Sequence, residues 1–212
     1  MRESVLRRRL PVIILLSILT ITTFIDWSID LQSWYGTPAR ITAAWKAVSQ
    51  GDFATPNLTT LFTSLTCAFF HGDLNHWFGN LLIIWIFGVV ICELAGWRWL
   101  VGVFLLTAIG ATAGHVMMDP GNIRQMLGAS GGLMGLVGFY FGLAMQHPRP
   151  SVEVWPISGP VSSGQLAAFA FVSVAFDIMG ITDGGQGIAY GAHLGGFATG
   201  VILSVIGDRV IR

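Results

Sequence analysis

The stretch ASGGLMGLVGFYFGLAMQ, residues 129–146, decides the fold class. It supplies most of the ~20 residues needed to cross ~30 Å of hydrocarbon. Its glycines, Gly131, Gly135, Gly138 and Gly142, recur at near-helical spacing, and in lipid such small residues let a second helix approach closely. Working outward, further apolar stretches lie near 11–28, 76–95, 97–117, 164–181 and 188–206. The last carries Gly196 and Gly200 at i+3 and i+7 from His193, a small-residue face that matches the one on 129–146.

Composition agrees with this reading. Of 212 residues, 53% are hydrophobic and only 10% are charged, whereas a soluble domain carries about a quarter charged residues. The chain therefore reads as an all-α membrane protein, a compact bundle of six transmembrane helices forming one domain over 1–212. An N-terminal segment (1–10) precedes the first span, and a long external loop (29–70) follows it. Zero formal charge, with no basic patch interleaved with aromatics, argues against nucleic acid as a partner. Cys67 and Cys92, before the second span and near its far end, are too far apart for a disulfide and lack a metal pattern.

Six spans put both termini on one side of the membrane. Arg2, Arg7, Arg8, Arg9, Arg98, Arg149, Arg209 and Arg212 share that side, with Arg40, Lys46 and Arg124 opposite. The basic excess marks the first side as cytoplasmic. The first span follows the arginine triplet, but its long apolar run without a small-x-small site reads as an uncleaved helix. The loop 29–70 and its flanks carry Trp27, Trp34, Tyr35, Trp45, Phe53, Phe62, Phe69 and Phe70. That aromatic density places the loop partly in the membrane.

Spans two, four and six then all begin on the external side, and a polar motif falls near each beginning. These are His71-x4-His76-x3-Asn80, Gly128-Ala129-Ser130-Gly131 and Ala192-His193-x2-Gly196-x3-Gly200. Polar groups are expensive in lipid, so their convergence on one layer asks for a chemical reason. Ser130 opens a helix, where unpaired N–H groups and the positive dipole end stabilise an adjacent oxyanion. Gly128 and Gly131 let the backbone bend and a carbonyl come close. Alone, however, Gly-Ala-Ser-Gly is also an ordinary helix-contact sequence.

His193 is placed to act as a general base; taken singly, it is also a histidine satisfied by a backbone carbonyl. His76 and Asn80 share a helical face. The asparagine amide suits either an oxyanion or an interhelical hydrogen bond. His71 reads as a tie between the loop and neighbouring backbone. Asp177 and Asp183 have no motif around them, and Asp177 reads as interfacial or structurally paired, which leaves a Ser–His dyad. No His-Glu-x2-His run exists and histidines five apart diverge around a helix, so no metal is expected. His115 and His147 read as interfacial. The fifth span and its loop, with Gly180, Gly184, Gly185 and Gly187, read as a moving gate.

Taken together, Leu65-Thr66-Cys67-Ala68-Phe69-Phe70-His71 with His76 and Asn80, then the Ser130 motif, then Ala192-His193-Leu194-Gly195-Gly196, resemble the rhomboid family of intramembrane serine proteases. The resemblance spans about residues 60–206. It implies Ser130 as nucleophile and His193 as its partner. His76, Asn80 and the Ser130 N–H would form the oxyanion hole, with Gly128 among the residues that shape it. His71, Met134, Gly196 and Gly200 would be structural near the site. It implies no metal or organic cofactor, and single-span membrane proteins as substrates, cut at or near the outer end of their transmembrane segment in the lipid bilayer.

Two positions depart from the family's pattern. Phe62-Thr63 stand where a Trp-Arg pair is common, and Met134 where an aromatic usually stacks on the imidazole. A thioether can also pack there. Two rival readings remain beside the protease. A non-catalytic relative that binds transmembrane helices would lack the serine or histidine, and a transporter would carry charges in its helix cores. The expected location is a bacterial inner membrane, with both termini cytoplasmic and the active site opening to the periplasm.

Overall fold

The computed structural model describes residues 2–31, 35–157, 159–183 and 188–211, with side chains from residue 8 onward. The readings placed on Trp34, Gly184, Gly185, Gly187 and Arg212, and on the side chains of Arg2 and Arg7, lie outside the described residues. Eight helices are described: α1 (Arg2–Ile29), α2 (Pro38–Ser49), α3 (Thr55–Thr66), α4 (Leu74–Leu94), α5 (Trp97–Met118), α6 (Ser130–Gln146), α7 (Ser163–Thr182) and α8 (Tyr190–Ile211). A two-residue antiparallel pair, β1 (Val152–Glu153) with β2 (Pro160–Val161), lies between α6 and α7.

Side chains fix where the membrane helices start. Asp73 accepts a hydrogen bond from the His76 N–H at 2.9 Å and so caps α4. Ser162 and Gln165 form a reciprocal capping box at the start of α7. Helices α1, α4, α5, α7 and α8 are long and apolar enough to cross a membrane. Helix α6, with 17 residues, spans only about 25 Å at 1.5 Å per residue. It completes the bundle of six.

That short helix is the centre of the molecule. Leu136, Val137, Phe139, Tyr140 and Leu143 on α6 are fully buried, whereas Phe171 and Phe176 on α7 are exposed. Exposed apolar side chains on outer helices are what a lipid solvent requires, since it offers them no penalty.

Helices α5, α6 and α8 meet with almost nothing between their backbones. A Cβ on Gly196 would collide with the Gly131 carbonyl, one on Gly200 with the Gly135 carbonyl, and one on Gly138 with the Phe197 carbonyl. The neighbouring Gly195 faces α5 instead, against Gly110 and Gly114. Adjacent glycines on α8 thus serve two different partners.

These contacts also fix depth. Gly131 lies against Gly196, six residues inside the start of α8, and against Ala111, seven residues short of the end of α5. At 1.5 Å per residue, Ser130 sits about 8–10 Å below the rims of its neighbours.

The opposite end of the bundle gathers the basic residues. Arg8 pairs with Glu93 at 2.9 Å, Arg9 donates to the Glu153 carbonyl at 3.0 Å, and Arg149 pairs with the buried Asp208. His147, expected at an interface, lies 3.3 Å from Asp208 there. The first loop is not irregular. It folds into α2 and α3, with Trp45 on α2, Phe53 in the link between them and Phe62 on α3 all exposed.

Candidate active site

Three elements converge on the turn that precedes α6. Gly128 has φ +121°, a conformation that L side chains rarely adopt. A Cβ there would also lie 2.5 Å from the His76 ring. Glycine is required on both counts. The Gly128 N–H donates to the Cys67 carbonyl at 3.0 Å, so this amide is already engaged. Gly128, grouped on sequence with the oxyanion stabilisers, thus contributes shape and room for His76 rather than a donor.

His71 braces the same turn. It is fully buried, and its Nε2 accepts the Ala129 N–H at 3.3 Å while Nδ1 lies 2.9 Å from Thr23 Oγ1 on α1. An accepting Nε2 requires the proton on Nδ1. Burial, reinforced by the neighbouring His76, pushes the His71 imidazole down to about 3, which keeps it neutral. Trp27 donates to the His71 carbonyl at 2.7 Å and Thr22 to the Phe69 carbonyl at 2.6 Å. Helix α1 thereby holds the loop that holds the turn.

With Gly128 and Ala129 tied down, α6 starts at Ser130, and its first closing hydrogen bond runs from Leu133 to Ala129. The N–H groups of Ser130, Gly131 and Gly132 precede that bond, as at any helix start. A small cavity of about 30 Å³ lies beside them, walled by Cys67, Gly128, Ser130, Ala189 and Ala192. Burial pushes the Cys67 thiol up to about 11, so it stays protonated and is no rival nucleophile.

Asn80 is buried one turn below His76, and its Nδ2 has no hydrogen-bond partner among the described residues. A buried amide left unpaired in apolar surroundings costs about 1–3 kcal/mol. An interhelical hydrogen bond, the bland reading of this residue, is not what occupies that nitrogen. Met134 is buried one turn below Ser130.

His193 lies in the first turn of α8, and its Nδ1 is 2.8 Å from Asp177 Oδ1 on α7. Both side chains are largely buried, at 19% and 9% exposure. Asp177, expected at an interface or in a structural pair, is buried and paired, and its partner is His193, for which no acidic neighbour was expected. No motif surrounds Asp177, but a signal was available. Leu166, Ala170 and Asp177, the buried residues of α7, share one helical face at i, i+4 and i+11. Among the described residues no hydrogen bond joins the Ser130 hydroxyl to His193, whose Nε2 has no described partner.

His115, expected at an interface, lies near the end of α5 and helps wall a cavity of about 610 Å³ with Asp119, Arg124, Met126, Ala189 and Tyr190. Met126 and Ala189 also wall the small cavity at Ser130, so the two spaces adjoin. The first loop supports this rim. Gly36 pairs with Met126, and the Ala39 N–H donates to the Asn122 carbonyl at 3.0 Å.

A multipass helical membrane protein with a half-buried serine and histidine and a buried asparagine at one end is the class these observations define. Residues 58–209 match the family model described as Rhomboid domain, and the chain belongs to the rhomboid family. It is 29% identical over 172 residues to RHOMBOID-like protein 12, mitochondrial, of Arabidopsis thaliana, covering 73% of this chain and 48% of that protein. It is 28% identical over 149 residues to Rhomboid protein 1, mitochondrial, of Saccharomyces cerevisiae, covering 68% of this chain and 41% of that protein. The chain thus spans less than half the length of these curated relatives.

Proposed function

We propose that the protein is an intramembrane serine endopeptidase that cleaves single-span membrane proteins at or near the outer end of their transmembrane segment. The observation that carries this reading is the contact of Gly131 with Gly196. It seats the start of α6 against the first turns of α8, so a hydroxyl and an imidazole come from helices whose backbones touch. Catalytic hydrogen bonds often tighten only once substrate is bound, so a bond from Ser130 to His193 is expected in the complex.

The reaction follows from the groups present. A substrate segment unwinds into the recess below the rims, exposing a peptide carbonyl that a helix would keep engaged. Ser130 Oγ attacks the carbonyl carbon as His193 Nε2 takes the hydroxyl proton. The negative charge on the former carbonyl oxygen falls among the first N–H groups of α6, the Asn80 amide and His76. Collapse breaks the C–N bond, and His193 returns its proton to the leaving amine. Water entering through the larger cavity then gives a proton to His193 and attacks the acyl-serine. This releases the carboxyl product and restores Ser130. Glycine or proline near the cut favours unwinding, since they weaken a helix by about 1 and 3 kcal/mol. The chain's own residues suffice for every step.

We place the arginine-rich end in the cytoplasm, both termini there, and the Ser130 recess toward the opposite water phase, in a bacterial inner membrane. The relatives' mitochondrial location is a property of those proteins. The chain forms one domain in this reading, with α2 and α3 as its loop subdomain. Labelling by a fluorophosphonate probe in detergent, with cleavage of tagged single-span proteins, tests the activity. Wild type labels and cleaves, and Ser130→Ala does neither. A signal that persists in Ser130→Ala removes that serine as nucleophile.

A further inference from the structure

Among the charged groups buried in this molecule, Asp208 is matched by Arg149 and His147 at the arginine-rich end, and Asp26 by Tyr35 and the Leu31 N–H near the loop. Asp177 is different. Its described partner is one atom, Nδ1 of His193, and its second oxygen, Oδ2, is buried without a partner among the described residues. A carboxylate kept for packing would satisfy both oxygens, because an unpaired one in apolar surroundings is costly. Among the described residues no arginine or lysine pairs with it, and the titratable groups that approach the imidazole from other elements are His76 on α4 and His115 on α5. Neither is an acid.

We propose that Asp177 is a positioning residue that turns the Ser130–His193 pair into a three-membered relay. By accepting the Nδ1–H of His193 it fixes the tautomer in which Nε2 carries a lone pair, the form able to take the Ser130 proton. It also fixes the ring's orientation from a separate helix, and its charge opposes the imidazolium that forms during attack. It takes no proton itself: the proton leaves Ser130, rests on Nε2 and passes to the leaving amine.

This inference rests on the protease reading, and the experiment separates the two. Wild type, Ser130→Ala, Asp177→Asn, Asp177→Ala and Asp177→Glu are purified in detergent. Each is compared for kcat and KM on one tagged single-span substrate, and for thermal unfolding. In Asp177→Asn the amide donates to Nδ1, moving the imidazole proton to Nε2, which is the wrong tautomer for a base. Asn is therefore expected to lower kcat by at least about 10²-fold with KM nearly unchanged, as the equivalent change does in soluble triads. Ala, which leaves the ring free to choose its tautomer, is expected to be milder than Asn, and Glu to restore part of the rate.

A packing role predicts the reverse order, because Asn is nearly isosteric with Asp and Ala is not. Equal rates for wild type and Asp177→Asn, or Ala worse than Asn at matched unfolding temperature, overturn the relay while leaving the protease intact. If Ala does not fold, the Asn and Glu variants decide by themselves: loss with Asn and recovery with Glu supports the relay, and wild-type rates in both overturn it. Failure of wild type to cleave or label removes the protease reading and this inference with it.

Discussion

Gly196→Ala adds one methyl group at the most consequential contact in the bundle. The new Cβ would overlap the Gly131 carbonyl oxygen by about 1 Å relative to ordinary contact. The atom it meets is backbone, so no side chain can rotate away, and relief must come from moving α6 and α8 apart. Overpacking of this kind costs about 1–3 kcal/mol. Because Ser130 precedes Gly131 directly, most of the displacement reaches the proposed nucleophile. A misplacement of about 1 Å between reacting groups is worth roughly 10²-fold in rate. The control is Gly102→Ala on α5, where a Cβ meets nothing within 4 Å; it is expected to be neutral or up to about 1 kcal/mol stabilising. Thermal unfolding in detergent and kcat on a single-span substrate measure both effects. Wild-type turnover and an unchanged unfolding temperature in Gly196→Ala would refute the claim that this contact sets the site.

Asn80→Ala should lower kcat by about 10²–10³-fold with little change in unfolding temperature, because its Nδ2 makes no hydrogen bond among the described residues; a large loss of stability with a normal rate marks it as structural instead. His71 gives a pH prediction. Its folded value, about 3, lies below the ordinary histidine value of 6.5. Between them the unfolded chain holds a proton that the folded chain refuses, so stability is complete above 6.5 and declines toward pH 3. The slope is up to about 1.4 kcal/mol per pH unit. Unfolding temperature measured between pH 7 and 5 should fall in wild type and fall less steeply in His71→Gln; parallel curves would reject His71 as the source.

How much of this was legible depends on the length scale of the cause. The six spans follow from runs of apolar residues, and their ends from local devices such as Asp73 and the Ser162–Gln165 box. The α6–α8 interface was visible as matched glycine faces, since helical periodicity is a property of the chain alone. The glycines of α5 also pack against α8, a contact the sequence analysis does not anticipate, because it matched glycine faces only between 129–146 and 188–206. The first loop is long enough for a subdomain of its own, but its aromatics point to the interface and do not delimit the two helices it forms. His115 and His147 were placed by depth alone, and their neighbours, the larger cavity and Asp208, depend on direction around a helix, which depth does not give.

The division at the site itself is sharper. Sequence alone determined which residues are available: a serine at a helix start, a histidine one turn into another helix, an asparagine and a histidine on one face of a third, all in an apolar chain with most of its basic residues at one end. Those are properties of composition and short-range periodicity. Only the tertiary structure decided which partners they take. Asp177 meets His193, His71 takes the Ala129 amide, and the Gly128 amide is used by Cys67. Each of these pairings depends on the rotation and depth of separate helices. Rotation and depth are set by close contacts such as Gly131 on Gly196, which no segment can specify alone.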